Sequence, residues 1–272
     1  MPEGHTIHRL AHEYATRFTP APAVQVTSPQ GKFADSAALL DGHPLTSTEA
    51  HGKHLFLGFG PLGWVHIHLG LFGKVSFENT VRAAPAKADT IRLNLATPTA
   101  SAALRGPTTC ALITDAEKLA VEDRLGPDPL RADADPDRAL RRIRASRAPI
   151  AALLMDQKVV AGVGNVYRAE VLFRHGIDPY TPGRDLTEER WTAIWRDLVA
   201  LMHEGVRLNR IDTVRPEHTP EAMGRPPRKD DHGGEVYVYR RAGLPCLLCG
   251  TEIRTAGLAA RNLFWCPTCQ HA

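Results

Sequence analysis

Four cysteines near the C-terminus constrain the fold more than any other feature of the chain. Cys246-x2-Cys249 is followed, sixteen residues later, by Cys266-x2-Cys269. Two such knuckles have the spacing of a tetrahedral four-thiolate zinc site. Four protein ligands leave no open position, so this zinc is expected to be structural and not catalytic. Arg254 and Arg261 fall between the knuckles, where a β-hairpin would carry them. The fifth cysteine, Cys110, is isolated in an apolar stretch and reads as a buried small residue. Five cysteines in a reducing compartment favour metal binding or catalysis over disulfides. The absence of a signal-like N-terminus and of any long apolar run leads to an expectation of a cytoplasmic protein with no membrane partner.

The opposite end carries the second constraint. Pro2 favours removal of the start methionine, which would leave a chain beginning with a free secondary amine. Such an amine can attack a sugar aldehyde carbon and form an iminium. Glu3 is adjacent and could shuttle protons. Read alone, the same residues also suit the first turn of an ordinary helix. Gly4 to Arg17 shows helical spacing of Ile7, Leu10, Ala11, Tyr14 and Ala15.

Between the ends the pattern changes twice. From Ala23 to Thr114 short β-rich runs alternate with turn residues. The runs are Ala23–Thr27, His54–Phe59, Trp64–Leu69, Lys74–Phe77, Ile91–Leu95 and Thr109–Ile113, which predict a sandwich or barrel. Lys53 sits just before one of these strands, at the surface or within reach of a phosphate. His68-Leu69-Gly70-Leu71-Phe72-Gly73 is an apolar tip flanked by glycines. It is either a buried hairpin end or a wedge for insertion between bases.

Leu125-Gly126-Pro127-Asp128-Pro129-Leu130 marks a break, and a helical region follows. Helices are predicted from Pro136 to Ser146, from Pro149 to Gln157, from Asn165 to about His175, and from Thr187 to Glu204. Val159-Val160-Ala161-Gly162-Val163-Gly164-Asn165 opens the third of these, and its glycines permit close approach of a ligand to the helix N-terminus. Between Arg138 and Arg174 there are eight Lys/Arg against two acids, a concentration that suits an anionic partner such as nucleic acid. The net charge of the whole chain is only +3. Asn209 to Gly234 is polar and proline-punctuated, and reads as a mobile or partner-ordered linker.

Taken together, four segments in order resemble the formamidopyrimidine-DNA glycosylase and endonuclease VIII family. They are Met1-Pro2-Glu3-Gly4, Gly52-Lys53, Val160 through Tyr167, and Arg261-Asn262-Leu263-Phe264-Trp265-Cys266-Pro267-Thr268-Cys269-Gln270. The resemblance covers essentially the whole chain and implies a multidomain α+β architecture. An N-terminal helix and β-sandwich domain would span 1–128. A helix–two-turn–helix domain with its linker would span 129–235, and a zinc finger 236–272.

The resemblance further implies a monomeric, bifunctional DNA glycosylase and abasic-site lyase of base-excision repair. Damaged DNA would be its partner, one structural zinc its metal, and no small-molecule cofactor would be needed. Pro2 would attack the deoxyribose C1′, Glu3 would assist ring opening and proton transfer, and elimination at both flanking phosphates would cut the strand. Lys53 would join the catalytic set. Asn165 and Arg261 match phosphate-holding positions, Gly164 lies beside them, and Leu71 and Phe72 match the inserting positions. Gly4 and the Leu71-Phe72 tip look more like the endonuclease VIII branch, and most like its actinobacterial members, which implies oxidised pyrimidines as lesions. Two departures stand out. Thr6 replaces an acid that many members carry, which points to an alternative as mainly an abasic-site lyase. Gly70 replaces a longer polar inserting residue. A non-catalytic damage-binding protein on the same scaffold is the other alternative.

Overall fold

The computed structural model describes residues 2–79, 88–229 and 234–271. The expected linker extends over residues 230–233, which lie outside the described residues. The chain forms two compact units. The first contains Pro2 and residues 6–124, and the second contains residues 3–5 and 125–272. The N-terminal helix α1 (Gly4–Phe18) therefore contributes its first two residues to the second unit and the rest to the first.

In the first unit, two four-stranded antiparallel sheets enclose one apolar core. One sheet has the order β1-β6-β7-β5, from β1 (Gln25–Thr27), β5 (Lys74–Glu78), β6 (Ile91–Thr97) and β7 (Ala100–Arg105). The other has the order β2-β3-β4-β8, from β2 (Ser47–His51), β3 (His54–Gly58), β4 (Trp64–His68) and β8 (Thr109–Ile113). The core draws Leu93, Leu95 and Leu104 from the first sheet, Leu55, Leu57, Val65 and Ile67 from the second, and Ile7, Leu10, Tyr14 and Phe18 from α1. This is the expected helix-plus-sandwich. Two short helices complete it, α2 (Ala34–Leu40) and α3 (Asp115–Glu122).

Strands β2 and β7 and helices α2 and α3 were not predicted. Ser47-Thr48-Glu49-Ala50-His51 has too few apolar residues to show a period of two, and β7 is rich in alanine, a weak strand former. For α3 the signal was present. Thr114 and Glu117 form a capping box, the side chain of each reaching the other's backbone N–H.

In the second unit, α4 (Pro136–Arg144), α5 (Ile150–Leu153), α6 (Asn165–Arg174) and α7 (Glu188–Leu208) pack with the C-terminal residues around a single core. Asp135 caps α4 by accepting from the N–H groups of Asp137 and Arg138, with Pro136 at the first helical position. Trp191, Ile194 and Leu198 of α7 are buried, and Trp191 Nε1 donates to the Pro136 carbonyl at 3.0 Å. The helix expected to run to Gln157 ends at Leu153, because Asp156 and Gln157 turn the chain with their side chains. Asp156 Oδ1 accepts from Lys158 N, while Gln157 bonds at 2.9 Å both to Gly162 N and to the Val163 carbonyl.

The expected linker is largely structured within its described residues. It holds α8 (Pro220–Met223), and Arg215 N donates to the Tyr237 hydroxyl. The finger residues Cys246, Ile253, Leu263, Phe264 and Cys266 share the core of the helices, so the finger and the helices pack around one core. Its hairpin consists of β9 (Arg254–Leu258) and β10 (Arg261–Trp265).

Candidate active site

Glu3 is wholly buried. Its Oε2 accepts from Gly164 N at 3.0 Å and from Tyr167 N at 3.4 Å, and its Oε1 accepts from Val166 N at 2.8 Å. These are donors at the start of α6, which a helix cannot satisfy internally. Gly164 occupies the N-cap position and offers no side-chain cap, so the Glu3 carboxylate does the capping from across the sequence. The positive end of the helix dipole favours an anion there.

Glycine is required twice in this packing. A Cβ on Gly164 would lie 2.4 Å from Glu3 Cδ. A Cβ on Gly4 would lie 2.9 Å from Gly162 Cα and 2.8 Å from Met202 Cε. Gly4 N also donates to the Gly162 carbonyl at 2.8 Å. The sequence motifs at 2–4 and 160–167 are thus one construction, in which the first residues are held by backbone against backbone. Pro2 precedes Glu3 by one peptide bond and is half-buried.

The same helix start carries Asn165, 4% exposed. Its Nδ2 donates to the Asn262 carbonyl at 2.9 Å, tying α6 to the hairpin residue next to Arg261. The hairpin turn between β9 and β10 consists of Ala259 and Ala260, both left-handed at φ 53° and 56°. Such two-residue turns match the strand twist but favour Asn and Gly, so two alanines are strained. Arg261 Nη1 donates to the Ala260 carbonyl at 2.9 Å, and the residue is half-buried.

In the first unit, Lys53 follows Gly52 in the two-residue turn joining β2 to β3, where Gly52 takes φ 59°. The tip between β4 and β5 places Leu71 at 45% and Phe72 at 87% exposure, so the alternative of a buried hairpin end is excluded. Gly70 is left-handed at φ 66°, and a Cβ there would meet Thr108 Oγ1 at 1.9 Å. The turn is closed by Gly73 N donating to the Leu69 carbonyl at 3.0 Å. A longer residue at position 70 would therefore need a different turn.

On the β2-β3-β4 face, His54 and His66 lie with Nδ1 and Nε2 2.8 Å apart, and the His54 and His68 rings are centred 5.0 Å apart. Burial, reinforced by neighbouring positive charge, pushes His54 down to about 3 and His66 to about 4. His68 is lowered as well, by burial and by Lys53. Helix α3 lies over this face, with Lys118 Nζ 5.2 Å from the Phe56 ring centre and 2.8 Å from Glu49.

The sulfurs of Cys246, Cys249, Cys266 and Cys269 all lie within 4.8 Å of one another. Cys246 and Cys269 are 3.8 Å apart, and Cys249 and Cys266 3.5 Å. Tetrahedral zinc with about 2.3 Å Zn–S bonds separates its sulfurs by about 3.8 Å, so the set fits one structural zinc ion. It is the sole such group among the described residues.

Glu3, Gly164, Asn165 and Arg261 belong to the second unit, whereas Pro2, Lys53, Leu71 and Phe72 belong to the first. Three residues of the second unit escaped the sequence reading. Gln157 shapes the 157–164 turn. Arg168 is wholly buried beside Asn165. Glu170 is wholly buried and accepts from the N–H groups of Tyr237, Val238 and Tyr239. Arg168 and Glu170 are charged residues among the apolar ones of α6, but nothing local marks them as buried.

Comparison with known proteins agrees with this fold. The chain matches the formamidopyrimidine-DNA glycosylase N-terminal domain over residues 1–111, its H2TH domain over 125–215, and the zinc finger found in FPG and IleRS over 243–272. It is 52% identical to Endonuclease 8 1 of Mycobacterium tuberculosis over 279 residues, covering 99% of this chain and 100% of that protein. It is 34% identical to the Probable endonuclease 8 2 of Streptomyces coelicolor, over 99% of this chain and 94% of that one. Among solved structures, a complex of Lactococcus lactis Fpg with DNA containing an oxidised pyrimidine has a TM-score of 0.79 at 22% identity, with full coverage of both chains. The chain belongs to the formamidopyrimidine-DNA glycosylase and endonuclease VIII family.

Proposed function

We propose that this protein is a bifunctional DNA N-glycosylase and abasic-site lyase that removes oxidised bases, chiefly pyrimidines. The observation that carries the reading is the Glu3 carboxylate, buried and aimed by three backbone N–H groups at the start of α6, next in the chain to Pro2. A carboxylate held this firmly costs little reorganisation during a reaction.

In the proposed mechanism the Pro2 amine, freed of Met1, forms a bond to C1′ of the damaged nucleotide. The N-glycosidic bond breaks, and its electrons leave with the base. The sugar ring opens to give an iminium on Pro2, with Glu3 passing the proton that ring opening requires. Loss of a C2′ proton expels the 3′ phosphate, and a second elimination expels the 5′ phosphate. Water then releases the sugar remnant from Pro2. Lys53, Asn165 and Arg261 hold the flanking phosphates, Gly164 lets the strand approach the start of α6, and Leu71 and Phe72 fill the space left by the flipped base. The exposure of Phe72 supports that last role.

Zinc on the four cysteines holds the hairpin that carries Arg261. The divisions 1–128, 129–235 and 236–272 serve as catalytic, DNA-binding and finger modules, in a monomer that works on DNA in the cytosol. No helix among the described residues is long and apolar enough to cross a membrane. Thr6 favours a second reading, in which abasic-site cleavage exceeds base removal. The test is strand scission by the zinc-loaded enzyme on duplexes carrying either thymine glycol or a preformed abasic site. Cutting of both is expected. Cutting of the abasic duplex alone would support the lyase reading, and cutting of neither would reject both.

A further inference from the structure

Arg168 lies one helical turn beyond Asn165 and is wholly buried. Its Nε donates to Asn165 Oδ1 at 2.9 Å, and its Nη1 donates to the Ala151 carbonyl at 3.1 Å. Among the described residues, its Nη2 finds no acceptor. Burial brings this guanidinium down to about 10, Glu3 acting in the opposite direction and Arg261 adding to the fall. A buried cation in the first turns of a helix is doubly unfavourable, by desolvation and by the dipole. Packing alone would be served better by leucine or methionine.

The chemistry of the two side chains indicates what the arginine does. A guanidinium only donates, so the atom of the Asn165 amide that faces it must be the oxygen. The amide is thereby fixed with Nδ2 on the other side. One of its N–H groups goes to the Asn262 carbonyl, and the second remains to donate. An asparagine without such a partner can turn its amide over and present oxygen instead, which an incoming anion would repel.

We propose that Arg168 is a positioning residue for DNA binding: it locks the Asn165 amide with N–H outward toward a backbone phosphate, and does not itself touch the DNA. This rests on the phosphate-holding role proposed above for Asn165.

The test uses the zinc-loaded enzyme and a duplex containing a tetrahydrofuran abasic analogue. Binding is followed by fluorescence anisotropy at several salt concentrations. Asn165→Ala should weaken binding about tenfold, the equivalent of one good hydrogen bond to a charged group. Arg168→Met should weaken it by a similar factor, and the double variant should bind no worse than about either single one. The dependence on salt should be the same in all, because no cation that pairs with phosphate is removed. If circular dichroism shows Arg168→Met to be unfolded, Arg168→Gln, whose amide can accept as well as donate and so no longer dictates which atom of Asn165 faces it, is read in its place with the same expectation.

Losses that multiply in the double variant, or a salt slope reduced by about one charge in the arginine variant, would overturn the proposal. So would native binding by the arginine variant beside a weakened Asn165→Ala. Native binding by Asn165→Ala would remove the role of Asn165 itself, and the proposal with it.

Discussion

Helix α6 is gripped by two buried carboxylates, and they differ in what surrounds them. Glu3 comes from the far N-terminus and meets the first N–H groups of the helix. Glu170 belongs to the helix itself. It takes the N–H groups of Tyr237, Val238 and Tyr239 at 2.7–2.8 Å and the Thr213 hydroxyl at 2.6 Å. By hydrogen bonding the two are alike, both fully enclosed and both accepting at least three donors. By position they are not. Glu170 ties distant segments of one core together, whereas Glu3 is bound at a helix end with the chain's first residues attached. Burial and satisfied oxygens therefore identify an important carboxylate without saying whether it serves the fold or the reaction. The neighbouring groups decide that.

The comparison can be broken by exchanging each carboxylate for its amide. Glu3→Gln should cut turnover on abasic DNA by about 10²–10⁴-fold, the usual contribution of general acid–base catalysis, beside a stability cost like that of Glu170→Gln, since both place an amide among backbone donors. Glu170→Gln should carry that cost without the loss of turnover. Placing an amide NH2 among backbone donors leaves buried groups unsatisfied and should cost about 2–3 kcal/mol in chemical unfolding. Turnover by the folded fraction of Glu170→Gln should fall less than about tenfold. Equal effects on turnover from both variants would erase the distinction.

A third set in the first unit, half-buried His54 and buried His66, sharpens it. His54 and His66 sit without a dominant anionic partner, and their affinity for protons falls below the ordinary value of 6.5. The groups around them are His51 and Glu49 on β2, His68 on β4, Lys118 and Glu122 on α3, and Arg124. The unfolded chain then binds protons that the native cluster refuses. Their contribution to stability is complete above about pH 6.5 and is lost as the pH falls toward 4 and 3. Urea unfolding at pH 7 and pH 4.5 should show this loss, and His66→Phe should reduce it. A dependence on pH unchanged by His66→Phe would locate the acid sensitivity elsewhere.

The sequence made some of this legible and hid the rest for physical reasons. Cys246, Cys249, Cys266 and Cys269 were readable because metal coordination fixes spacing along the chain. Gly4, Gly162 and Gly164 were readable as motifs, but the reason for them is a contact between segments about 160 residues apart. Helix α1 and the apolar strands were visible by period. β2 was not, because Glu49 is stabilised by Lys118 of α3 and not by any local pattern. Arg168 and Glu170 look like ordinary helical charges until the fold buries them.

The central claim is that the Pro2 amine is the nucleophile. It is tested most directly by borohydride reduction of the enzyme on an abasic-site oligonucleotide, followed by peptide mapping of the adduct. The account predicts a stable covalent adduct on Pro2, from protein whose intact mass shows that Met1 has been removed. Protein that has lost Met1 and binds the oligonucleotide, yet yields no adduct or one on a lysine, would contradict it.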